Sequence, residues 1–170
     1  MDDRELVSAL AARVEGPLPP RPGFLPPMTL GSSFVGEIND ADVKQVIGVF
    51  GIPSGEPAAV GDAPGIRMAI HRLPSGAAAV VVGAIDDASD KAADWVPFDE
   101  KRGRAMVEGL RCHASLKGRD VEALGHAASY LSWFAHEASF VATLEAERVA
   151  VLEMGKGCMV VTAKARFGPV

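Results

Sequence analysis

The chain has 170 residues, of which 48% are hydrophobic, 23% charged and only 6% aromatic. That length fits one domain with one core, built here mainly from small aliphatic side chains. A net charge of −5 opposes binding to a phosphate backbone unless basic residues cluster. The one such group, Lys101, Arg102, Arg104 and Arg111 extended by Lys117 and Arg119, is interrupted by Glu108 and reads as a solvated helix face, so no nucleic-acid partner is expected.

From the start, Asp2–Glu15 places Leu6, Val7, Leu10 and Val14 at helical spacing, with Asp2 or Asp3 able to cap the first turn. The acidic opening carries no hydrophobic leader, and the two cysteines, Cys112 and Cys158, lack metal-ligand spacing, so a cytoplasmic setting is expected. No apolar run approaches the ~20 residues that a membrane helix needs. The next stretch holds six of the twelve prolines between Pro17 and Pro27. Proline lacks the donor for helix or ladder, so this is an extended connector whose Phe24 and Leu25 pack on the main body. Its Pro19–Pro22 spacing beside Arg21 also fits a ligand for a proline-recognition domain. Residues 1–27 thus form a helix and proline-rich arm, and residues 28–170 a single domain.

Met28–Val35 reads as a short strand weakened by Gly31. Asn39 or Asp40 caps a helix over Ala41–Phe50, with Val43, Val46, Ile47 and Phe50 on its apolar face. The proline- and glycine-rich loop Ile52–Gly65 is long for an internal connection, and such loops are often functional. Ile66–Leu73 alternates Ile66, Met68 and Ile70 against Arg67 and His71, the period of a half-buried strand. Ala77–Ile85 returns as a continuous apolar strand, central in its sheet. Trp95–Phe98 is a short apolar patch, and Asp99 caps a helix from Glu100 to about Cys112.

After Gly118 the periodicity predicts one long helix over Asp120–Glu147, followed by a hairpin over Arg148–Lys164 with Gly155-Lys156-Gly157 as its turn. The expected fold class is therefore α+β: an antiparallel sheet of hairpins with a long helix across one face, plus the N-terminal helix and the proline-rich connector.

At 100° per residue the long helix carries two stripes. Leu124, Leu131, Ala135, Ala138 and Ala142 make a small-residue stripe. His126, Tyr130, Trp133, Glu137 and Phe140 make a bulky one with polar tips, a chemistry suited to interfaces and pockets. These five are the candidate ligand- or partner-binding residues. Their stripe suits a neighbouring helix, a second copy of the chain or a ligand pocket shared with His71.

Catalytic patterns are absent. His136-Glu137 does not continue to HExxH because position 140 is Phe, and Gly155-Lys156-Gly157 lies between strands rather than in a phosphate loop. Cys112 beside His113 lacks the geometry of a nucleophile and its base, and Ser32 and Ser33 lack a GxSxG elbow. Asp86, Asp87 and Asp90 follow a buried strand, where carboxylates can hold a divalent cation, yet DDASD suits a solvated turn equally. No cofactor and no metal are expected. The pattern supports a non-enzymatic binding, adaptor or regulatory protein, homodimeric or joined to another protein. The alternative is a small-molecule-binding protein or enzyme with a pocket between the long helix and the sheet.

Overall fold

The computed structural model describes residues 1–10, 17–27 and 35–170. Its sheet contains the hairpin of β2 (Gly65–Arg72) and β3 (Ala78–Gly83), the latter with all six residues buried. Four more strands extend it: β1 (Gly36–Ile38), β4 (Lys91–Trp95), β5 (Val141–Val151) and β6 (Cys158–Phe167). The sheet runs β1-β6-β5-β2-β3-β4, with every neighbouring pair antiparallel. This is the α+β architecture expected from the strand periodicities. Among the described residues no helix is long and apolar enough to cross a membrane.

One face is covered by α2 (Asp40–Val49), α4 (Glu100–Glu108) and α5 (Val121–Glu137), which bury Ile47, Met106, Leu124, Leu131 and Phe134 against Ile70, Val80 and Leu144. The other is covered in part by two short helices. Val7 of α1 (Asp3–Ser8) sits on Ala69, Ala79 and Val81, and Val60 of α3 (Pro57–Val60) sits on Ala150 and Val161.

Local chemistry explains the boundaries. Asp2, Asn39, Asp99 and Asp120 each cap a helix by accepting a backbone N–H of its first turn. The helix expected to run from Glu100 to Cys112 stops at Glu108. Buried Asp90 then accepts the N–H groups of Arg111 and Cys112, both at 2.8 Å, and opens a separate 3-10 helix over Arg111–Leu116.

The long helix is also shorter than its periodicity predicts. It ends at Glu137, and Val141–Glu147 is strand. Arg72 donates to the carbonyls of Ala135 and Ala138 at 2.6 and 3.2 Å and of Val141 at 2.8 Å, capping the helix end and turning the chain into β5. Residues 28–34, most of the expected strand Met28–Val35, and residues 11–16, the end of the expected first helix, lie outside the described residues.

Candidate functional site

On the side of α5 away from the sheet, four of the five sequence-selected residues share one surface. Glu100, the first residue of α4, joins two of them: its carboxylate accepts the Tyr130 hydroxyl at 2.7 Å and lies 3.2 Å from His126 Nε2. Desolvation first, and then the hydrogen bond to Glu100, push the Tyr130 hydroxyl well above the usual phenol range. Glu137, one helical turn past Trp133, receives Arg21 from the proline-rich arm, with Arg21 Nη2 at 3.1 Å. Arg21 also donates to the carbonyls of Leu25 and Pro26, each at 2.7 Å, so one side chain both folds the arm and fastens it to the helix. Phe24 meets Tyr130 edge to face at 4.9 Å, and Leu25 is buried.

Phe140 departs from this group. Because α5 ends at Glu137, Phe140 lies beyond the helix and packs against Phe167 at 5.2 Å. His71 also lies elsewhere, on the second face of the sheet with Asp3, so it cannot wall a pocket with Tyr130 and Trp133.

Between the arm and the start of α4 runs an open groove of about 520 Å³. Pro20, Arg21, Pro22 and Phe24 form one wall, Asp99, Glu100 and Lys101 the other, and Ser129 and Trp133 the base. Trp133 is only 4% exposed, and among the described residues its indole N–H has no acceptor. Leaving a buried donor unmade costs about 1–3 kcal/mol. Periodicity revealed His126, Tyr130, Trp133 and Glu137; Arg21 and Phe24, more than a hundred residues away, have no sequence signal linking them to α5.

A second polar group lies on the opposite face. Asp3 of α1 pairs with both terminal nitrogens of Arg67, with His71 Nε2 at 3.2 Å and with Lys91 Nζ at 3.2 Å. Desolvation works against ionisation of Asp3, and the contacts from His71, Arg67 and Lys91 outweigh it, holding the carboxyl well below the usual range. Glu145 stands close enough for Asp3, His71 and Glu145 to offer ligand atoms within 4.8 Å of one another. A cation there would have to displace Arg67 and Lys91 from Asp3, which opposes metal binding. In the acidic run after β3, Asp87 accepts from Ser89 and Arg111, while Asp90 caps the 3-10 helix.

Neither cysteine has the character of a nucleophile. Burial, with Asp90 adding to it, pushes the Cys112 thiol up to about 11. Burial, with Asp120 adding to it, pushes the Cys158 thiol to about 12.

No protein-family model matches the chain, and no curated protein sequence does. Solved structures do resemble it. PH1788 from Pyrococcus horikoshii Ot3 superposes with a TM-score of 0.70 at 13% identity, covering 80% of this chain and 93% of that one. The apo form of the dinucleotide forming acetyl-coenzyme A synthetase 1 from Ca. Korarchaeum cryptofilum gives 0.66 at 15% identity, covering 78% and 93%. The same organism's ACD1 in complex with coenzyme A gives 0.56 at 19%, covering 62% of this chain and half of that one. At these identities the likeness is one of fold.

Proposed function

We propose that the chain is a non-enzymatic binding or adaptor protein that recognises a protein segment in the groove between its proline-rich arm and α5. Trp133 carries the reading: it lines the groove, and its buried indole N–H has no acceptor among the described residues, so a small turn of the ring toward the groove would let a backbone carbonyl of a bound segment satisfy it. Proline and aromatic walls offer rigid apolar contact, and Arg21, Lys101, Asp99 and Glu100 supply a rim of both signs that fixes direction. On this reading the protein works as a homodimer in the cytoplasm. The terminal position of β4 in the sheet supports the first part, since among the described strands it pairs only with β3 and leaves an edge for a second copy. Two free thiols suit a reducing compartment.

The test replaces Lys101, at the groove rim, with a photo-crosslinking amino acid, and Glu147, on β5, as a control. A crosslinked adduct of defined mass at position 101 and none at 147 supports the reading. Equal labelling at both, with a mass of one chain by light scattering at micromolar concentration, would sink it.

The fold neighbours favour a second reading, small-molecule binding, because the Korarchaeum protein is also known in complex with coenzyme A and acetyl-coenzyme A. Coenzyme A at a hundred times its dissociation constant would stabilise the folded chain by about 2.7 kcal/mol. A melting temperature unchanged by millimolar coenzyme A removes this reading.

A further inference from the structure

The cluster under α1 is built around a missing side chain. Gly83 of β3 pairs with Arg67 on one neighbouring strand and with Lys91 on the other. A Cβ at Gly83 would stand 3.2 Å from Lys91 Cβ and 3.4 Å from Arg67 Nε. The glycine leaves a notch over which two strands bring their cations together, and His71, four residues along β2 from Arg67, joins them on the same face. All three side chains are withdrawn from water, with exposures of 22% for Arg67, 16% for His71 and 7% for Lys91.

Basic groups held this closely out of water need an anion among them. The chain supplies one from its own terminus, the Asp3 carboxylate, together with the Met1 carbonyl, which accepts from Lys91 at 2.6 Å. Among the described residues Asp3 is the carboxylate that Arg67 and Lys91 reach directly, while Glu145, whose charge also acts on Arg67, is shared with Lys164 at 3.4 Å.

We propose that Arg67, His71 and Lys91 form a binding site for a phosphate-type oxyanion, and that α1 is its internal plug, with Asp3 standing where an oxyanion of the ligand binds. A phosphoryl group offers more acceptor oxygens and more negative charge than Asp3, and an arginine fork matches it as well as it matches a carboxylate. The plug is detachable by construction. Six residues are too few for a helix that persists alone, and α1 rests on the small side chains Ala69, Ala79 and Val81 through Val7 with Leu6 and Leu10. The site lies across the sheet from the groove and goes beyond both functional readings.

The test uses the full chain. Inorganic pyrophosphate is titrated calorimetrically into the unaltered protein and into Asp3→Asn, with ADP as a parallel arm that separates a free phosphate ligand from a nucleotide-borne one. Asp3→Asn is expected to bind at least one of the two about tenfold tighter than the unaltered chain, a difference of about 1.4 kcal/mol. Adding Arg67→Gln, or Lys91→Met where that variant fails to fold, removes the gain. Equal affinity for both ligands in the two proteins, or a gain that survives loss of the cation, overturns the proposal. Should Asp3→Asn itself not fold, hydrogen exchange of residues 3–8 in the unaltered chain decides: millimolar pyrophosphate or ADP speeds it if the plug is displaced, and unchanged exchange with both overturns the idea.

Discussion

Asp3 shows how much one carboxylate can organise when three basic side chains converge on it. Its pKa lies below that of an unfolded aspartate, about 3.9, so the folded state holds the proton less tightly than the unfolded state does. The stabilisation is therefore complete above about pH 4 and is lost as the pH falls below that value toward the folded-state pKa. Replacing Asp3 by Asn should cost about 1–3 kcal/mol at pH 7. The difference between the two proteins should narrow steadily when urea unfolding is repeated below pH 4. A gap that stays constant with pH would show that shape rather than charge anchors α1. The thiols make a second residue-scale case. With Cys112 raised to about 11 and Cys158 to about 12, both should alkylate far more slowly at pH 8 than a free thiol near 8.5, and half-buried Cys112 should react before buried Cys158. Peptide mass spectrometry over a time course reads the order, and rapid labelling of Cys158 would contradict its burial.

At the scale of elements, the crossing of α4 and α5 rests on two glycines. A Cβ on Gly103 would stand 2.3 Å from the Gly125 carbonyl oxygen, and one on Gly125 would stand 2.8 Å from the Arg104 backbone. Both obstacles are main chain and cannot swing aside. Gly125→Ala should therefore destabilise the protein by about 1–3 kcal/mol even though alanine is the better helix former. Gly48→Ala in α2, where a Cβ meets nothing within 4 Å, should gain up to about 1 kcal/mol. Denaturant midpoints of the two variants should move in opposite directions; a shift of the same sign in both would refute the crossing argument. The elements differ in how readable they were. Arg67, His71 and the apolar residues between them announce β2 through strict alternation, and His126, Tyr130, Trp133 and Glu137 mark one face of α5 through helical spacing. The end of α5 was hidden because Ala138 and Ala142 continue the small-residue stripe into β5, while Thr143, Glu145 and Glu147 already alternate with Leu144 and Ala146. What stops the helix is Arg72, on a strand more than sixty residues earlier. β4, with the sequence KAADW, has too little apolar contrast to register as a strand and takes its conformation from pairing with β3.

For the molecule as a whole, the N-terminal segment is a clasp with a part on each face of the sheet: α1 covers the Arg67 cluster, and the proline-rich arm covers the outer side of α5. The two parts are held differently. Asp3 is nearly enclosed by its partners, whereas the Arg21 side chain is 34% exposed and that of its partner Glu137 19% exposed. An ion pair this open contributes little to global stability, about 0–1 kcal/mol, yet it fixes where the arm lies. Arg21→Ala should therefore leave the denaturation midpoint almost unmoved while loosening the wall of the groove. In a Trp95→Phe background, where Trp133 is the only indole, the variant should show a red-shifted emission and greater quenching by acrylamide as Phe24 and the arm lift from Tyr130 and Trp133. A large fall in stability would mean that the arm belongs to the core rather than lying over the outer side of α5. Unchanged quenching would mean that Phe24 and Leu25, rather than Arg21, hold the groove in shape.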